Sequence, residues 1–185
     1  MDFDEIEKYV QKIVALEFAD RNHEIQIAIT RVKGDMLARG IMNSTITLNH
    51  FAEFFLAEFK ARVDFVASHV VGNIGKLNKE KNHDITTNGV ALYKEIASQQ
   101  FTFVEQTYDS SASMIAASLQ SNMPTQIREL LIRRMNDHMQ KNELTVEFEY
   151  MAYQGMDIQK DIILLQPNVS GIGIDLKELW NRYMT

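Results

Sequence analysis

Cysteine is absent from the 185 residues, and with it go disulfides, thiolate metal sites, iron–sulfur clusters and cysteine nucleophiles. Zinc fingers and thiol redox folds are excluded together, and the chain suits a reducing compartment. Proline is scarce as well: Pro124 and Pro167 are the two, so long stretches carry nothing that would break a helix. No window approaches the roughly 20 apolar residues a spanning helix requires. The start, Met1-Asp2-Phe3-Asp4-Glu5, has neither the positive charge nor the apolar stretch of a signal peptide. The expectation is a soluble, cytoplasmic chain with no membrane contact.

A basic excess is missing too. The net charge is −6, from 19 Lys and Arg against 25 Asp and Glu. It is unevenly spread: three basic against seven acidic residues in 1–30, thirteen against eleven in 31–142, and three against seven in 143–185. Acidic ends and a balanced middle give no footprint for a phosphate backbone, so nucleic acid is disfavoured as a partner. Arg128, Arg133, Arg134 and Lys141 make one local basic cluster, whose simplest explanation is opposition to a helix dipole in a C-terminal turn.

What is present is ample apolar matter, 45% of residues against 24% charged. A chain of this mass can bury about 70% of its unfolded surface, enough for a core without staples.

The apolar residues fall at helical spacing over most of the chain. Ile6, Val10, Val14, Phe18, Ile25, Ile29, Val32 and Met36 form a stripe within 4–42. Ile25, Ile27 and Ile29 also alternate with Gln26 and Ala28, so a strand over 24–32 competes with the helix there. The helix is preferred, and the polar run Asp20–Glu24 is where it has room to bend. Ser44-Thr45-Ile46-Thr47 supplies caps for a second helix, whose stripe is Leu48, Phe51, Phe55, Phe59, Arg62, Val66, Val70 and Leu77. After a polar connection at Lys76–Asp84, a third helix starts near Thr87, with a near-heptad stripe from Tyr93 through Phe101, Val104 and Tyr108 to Leu119. Its later part is rich in small residues that let a neighbouring backbone approach. Ser121-Asn122-Met123-Pro124 ends it and starts a shorter fourth helix burying Ile127, Leu130, Leu131, Met135 and Met139.

The period then switches. Leu144, Val146, Phe148 and Tyr150 alternate with Thr145, Glu147 and Glu149, which reads as a half-buried strand. Asp161–Gln166 and Gly171–Ile174 are further short strands, and Asp175-Leu176-Lys177-Glu178 is a capping box opening a terminal helix with Trp180. The expected fold is mainly α: an elongated helical bundle over 1–142, with a small antiparallel β appendage and a short helix over 143–185. Helices of about 35 residues are about 50 Å long, and such stripes suit burial against a second copy, so a homodimer is expected.

Chemistry-bearing residues are sparse. His50 and Glu53 share a helix turn, but a carboxylate-bridged bundle site needs paired Glu-x-x-His motifs on separate helices. No metal and no cofactor is expected. His69, beside Val70-Val71, reads as a hydrogen-bonded, partly buried side chain. Asp109–Ser113 has serines but no strained elbow, so small-residue packing explains it better than a nucleophile. Gly171-Ile172-Gly173 lacks the further glycine and the lysine of a phosphate loop. Glu147 and Glu149, with Asp157 and Asp161, suit edge protection or a basic partner.

Arg133-Arg134-Met135-Asn136-Asp137-His138 is an Arg-x4-His arrangement on the fourth helix, and Arg62 and His69 are spaced similarly. It resembles the motif of HEPN ribonucleases, small helical proteins that pair two copies to form an RNA-cleaving cleft. That resemblance implies Arg133 and His138 as catalytic residues acting on the scissile phosphate and leaving oxygen, with Asn136 or Asp137 orienting the His, and RNA as partner. Three functions therefore fit the sequence. The first is a self-associating interaction or regulatory protein with an unidentified protein partner and no catalytic site. The second is a HEPN-like ribonuclease, and the third an acidic, immunity-type binder of a basic protein.

Overall fold

The structure, a computed structural model, describes residues 3–74 and 83–153. They belong to a compact unit spanning Met1–Gln154 and form four helices: α1 (Phe3–Ala38), α2 (Thr45–Ile74), α3 (His83–Ser118) and α4 (Met123–Tyr153). The chain from 155 on, with the short strands, the glycine pair and the terminal helix expected there, lies outside the described residues.

The local chemistry explains the helix ends. α1 closes where Gly40 takes a left-handed φ of 68°. Its N–H donates to the Leu37 carbonyl and that of Ile41 to the Met36 carbonyl, both at 3.0 Å, which satisfies two carbonyls the helix would leave bare. Ser44 then caps α2, its Oγ accepting from the Thr47 N–H at 3.3 Å. Ser121 does the same for α4 through the Met123 N–H.

Side-chain pairs fix the topology. Asn22 meets Arg62 and Phe18 meets Phe65, so α1 and α2 run antiparallel. Phe59 meets Phe101 and Phe55 meets Tyr108, so α2 and α3 do too. Arg128 meets Asp109 and Lys94 meets Glu143, which reverses α4 on α3. α2 and α4 are parallel. α2 is the central rod, packed by all three others, and α1 is the peripheral one. Centrality follows from sequence: Leu48, Phe51, Phe55, Phe59, Val63, Val66 and Val70 are all fully buried, and Phe54 and Phe65 are partly so. A helix apolar around most of its circumference must be surrounded, and each buried phenylalanine contributes about 1.5–3 kcal/mol.

One expectation holds and others are corrected. Residues 24–32 are helix, with Ile25 and Ile29 buried and Ile27 exposed, a difference that period 3.6 requires and period 2 forbids. The helix runs on through Asp20–Glu24, where Asn22 and Arg21 turn to polar partners on α2. The strand expected at Leu144–Tyr150 is instead helix. α4 runs uninterrupted through it, so the bundle does not stop at residue 142 and the fourth helix, at 31 residues, is no shorter than α2. The four-residue steps Ile127, Leu131, Met135 and Val146, Tyr150 continue one stripe, and Leu144 lies exposed. Leu130, expected in that stripe, is exposed as well. The Arg128–Lys141 cluster therefore occupies the middle of α4 and not a C-terminal turn, and its arginines are paired to carboxylates of other helices in two cases.

Candidate functional site

The deepest polar site lies where the apolar stripe of α2 is interrupted. Arg62 is fully buried. Its guanidinium lies between the rings of Phe18 and Phe103, 4.9 and 4.8 Å from their centroids. Nε donates to Glu58 Oε1 at 2.9 Å, one terminal nitrogen to Gln100 Oε1 at 2.9 Å, and the other to Asn22 Oδ1 at 2.7 Å. Three helices thus converge on one cation. Glu58 also accepts from Arg21 at 3.4 Å, and Arg21 from its other edge reaches Glu17 at 2.9 Å. Burial lowers the affinity of Arg62 for its proton, and Glu58 opposes that shift. An arginine stays charged regardless, so the layer is a permanently ionic plug in a greasy core.

Such a layer has no room for a substrate. What it does is select register: sliding α1 or α3 by one turn along α2 would strand the guanidinium without acceptors, at a cost of about 3–5 kcal/mol.

A second cluster joins α2 to α4 near the surface. Asp64 Oδ1 is 2.7 Å from His138 Nε2 and accepts from Asn142 Nδ2 at 2.7 Å. Arg134, one turn before His138, is ion-paired with Glu53. On the neighbouring seam Tyr93 donates to the Met139 carbonyl at 3.2 Å, and Lys94 meets Glu143 at 2.7 Å. Burial pushes the Tyr93 hydroxyl well above its ordinary range.

The HEPN-like pair divides at this point. His138 sits on the α2 flank of α4, bound to Asp64. Arg133 is exposed and faces outward. Five residues along a helix turn about 140° around the axis, so within one chain the two side chains diverge. Among the described residues neither Asn136 nor Asp137 hydrogen-bonds the His138 ring; the group that orients it is Asp64, 74 residues earlier. The spaced pair Arg62 and His69 separates as well. Arg62 is in the core, and His69 stacks on Phe65 at 4.0 Å with Nδ1 3.0 Å from the Phe65 carbonyl. Glu53 serves Arg134 and not His50. Among the described residues no group of three His, Asp or Glu side chains is placed to hold a metal ion, and no helix is long and apolar enough to cross a membrane.

A third feature is a groove where the end of α3 meets the start of α4. Tyr108, Ala112, Ser113 and Ala116 line it from α3, Pro124, Thr125 and Arg128 from α4, and Leu48 from α2. Arg128 is held at its edge by Asp109, at 2.7 and 2.8 Å, and by Glu105 at 2.6 Å. The small-residue run on α3 therefore opens a space as well as permitting close packing.

Sequence reading placed Arg62 correctly on the buried stripe but missed its partners. Asn22 lay inside a polar run and Gln100 beside Gln99; the signal available was their helical phase, which sets both at core-facing positions. Comparison with known proteins adds no relationship: no family model, curated protein or solved structure matches this chain.

Proposed function

We propose that this protein is a non-catalytic helical interaction module that self-associates through the outer face of α1. The observation that carries the reading is a row of large apolar side chains on that face. Tyr9, Leu16 and Ile27 are 50%, 64% and 49% exposed. Tyr9 and Ile27 are eighteen residues apart, about five turns, so they share an azimuth with Leu16 close beside it. The core-facing stripe of Val10, Val14, Phe18 and Ile25 lies on the opposite side. α1 is also the least embedded of the four helices. Apolar residues repeated along one exposed face favour a protein partner over water, and a second copy of the same helix is the simplest complement, since a two-fold axis brings the same face to itself.

The test is sedimentation or light scattering of the full chain at micromolar concentration. A particle near twice 21.3 kDa is expected, and Leu16→Glu combined with Ile27→Glu should return it to 21.3 kDa with an unchanged helical spectrum. A wild-type monomer at 100-fold higher concentration overturns the reading.

A further inference from the structure

We infer that, given the self-association proposed above, two copies pair through this face of α1 antiparallel, about a two-fold axis level with Arg21 and Asn22. That register sets His23 against the partner's Asp20 and makes association tighten as pH falls. Tyr9, Leu16, Asp20, His23, Ile27 and Gly34 are all exposed, and at 3.6 residues per turn they share a stripe roughly 60° wide. Their positions are symmetric along the helix. Leu16 and Ile27, Tyr9 and Gly34, and Asp20 and His23 are three pairs with one midpoint, between Arg21 and Asn22. A two-fold axis at that midpoint lays Leu16 on the partner's Ile27 and Tyr9 on the partner's Gly34, and each contact occurs twice. Other placements lose this. Centred on Leu16, the axis would set Ile27 against the partner's Glu5; centred on Ile27, it would carry Tyr9 beyond the end of the partner's α1. Parallel pairing would match the apolar residues but stack Asp20 on the partner's Asp20 and align the helix dipoles.

Two local features fit this register. Glycine inside a helix is unfavourable, and nothing in the chain lies within 4 Å of where a Cβ on Gly34 would stand. No packing within the chain calls for it. The partner's Tyr9 does, because a missing side chain lets a ring lie close to the backbone. Just before it, Gln26, Ile27, Thr30 and Arg31 line a shallow depression, and four side chains so placed form the hole that receives one knob of a facing helix. The knob in this register is the partner's Leu16. The centre of the contact is acidic. Asp20 and, beside it, Glu24 enter from each copy, while Arg21, the cation between them in sequence, is turned to Glu17 and Glu58. His23 lies in the same layer. Protonated, it places a positive charge against the partner's Asp20; neutral, it leaves these carboxylates opposed to one another. The dimer therefore binds the imidazole proton more tightly than the monomer does, so association is strongest on the acid side of the range in which histidine titrates and weakens above it.

Because the chain has no cysteine, single introduced cysteines in the full chain report the register directly. Leu16→Cys mixed with Ile27→Cys should give a mixed disulfide under mild oxidation, with the second Leu16–Ile27 layer left intact, and neither variant alone should cross-link. Gly34→Leu should raise the melting temperature of dilute, monomeric protein yet weaken dimerisation about ten-fold. The wild-type dissociation constant should fall about five-fold from pH 8 to pH 5.5, the combined effect of two exposed ion pairs, and His23→Gln should remove that change. Cross-linking of either cysteine variant with itself, absence of the mixed disulfide, or an unaltered dimer in Gly34→Leu overturns the register while the dimer itself stands. A dissociation constant independent of pH, or the same pH response in His23→Gln, overturns the role of His23. A monomeric wild type overturns the self-association and the register together.

Discussion

Arg62 on α2 donates to Asn22 Oδ1 on α1 at 2.7 Å, forty residues away in sequence, and this bond joins the Arg21–Glu58 pair in tying the peripheral helix to the centre of the bundle. Truncating Asn22 to Ala leaves part of a buried guanidinium unpaired and should cost about 1–3 kcal/mol. Arg62→Ala loses the charge and the packing between Phe18 and Phe103 and should cost about 3–5 kcal/mol, whereas Arg62→Met, which refills the space, should recover much of it. Urea titrations of the three variants check this. Equal stabilities for Arg62→Ala and Arg62→Met would show that the layer is not desolvated as described.

Glycine 89 makes a sharper case because the usual rule reverses there. Alanine normally strengthens a helix by about 1 kcal/mol over glycine. A Cβ on Gly89, however, would lie 2.7 Å from the ring and hydroxyl of Tyr150. Tyr150 cannot step aside, being fully buried and tied to the Val70 carbonyl. Gly89→Ala should therefore destabilise by about 1–3 kcal/mol, while Gly34→Ala, with nothing within 4 Å in exposed α1, should stabilise by about 0.5–1 kcal/mol. Thermal melts of both should move in opposite directions, and Tyr150→Leu should rescue Gly89→Ala alone.

The tyrosines predict behaviour at high pH. Burial, with Asp109 adding to it, pushes the Tyr108 hydroxyl up to about 12 from an ordinary value of 10.0. The folded state thus holds that proton more tightly than the unfolded chain does. Its contribution is complete below pH 10 and is lost as pH rises from there through about 12. Tyr93 acts in the same sense. Denaturant midpoints should fall steeply above pH 10, and Tyr108→Phe should flatten that fall. At pH 7, Tyr108→Phe should be neutral or slightly stabilising, since among the described residues its hydroxyl has no hydrogen-bond partner, whereas Tyr93→Phe and Tyr150→Phe, which lose bonds to the Met139 and Val70 carbonyls, should each lose about 1 kcal/mol.

His138 separates the interaction and ribonuclease readings. Its bond to the exposed Asp64 is worth less than about 1 kcal/mol after solvent screening, so His138→Ala should fold normally. Incubating RNA with wild type and His138→Ala should show no cleavage dependent on that residue. Loss of a robust wild-type activity in the folded variant, matched by Arg133→Ala, would establish the catalytic alternative instead and would require two copies to bring Arg133 and His138 together.

The helices were legible in sequence where one period ran unopposed. Phe51, Phe55, Phe59, Val66 and Val70 announce α2 by spacing alone, and Ser44 announces its start. Legibility failed where two periods coexist. Val146, Phe148 and Tyr150 fit an alternating strand, yet Val146 and Tyr150 are equally i and i+4 of the helix already running from Met123. A helix entering that segment with its apolar stripe in phase continues, because stopping would leave its last carbonyls bare. At Ile25, Ile27 and Ile29 the same ambiguity was settled correctly by the longer stripe on either side.

The sequence by itself determined that this is a helical chain without thiol chemistry, with a central segment too apolar to face water. These follow from covalent composition and from periods that act over a few residues. Only the tertiary structure decided which polar side chains meet: Arg62 with Asn22 and Gln100, His138 with Asp64, and Arg128 with Asp109. Such pairings join residues nineteen to seventy-four positions apart. Their partners are chosen by how rods settle against one another, a choice made by packing and desolvation over the whole core that no local pattern records.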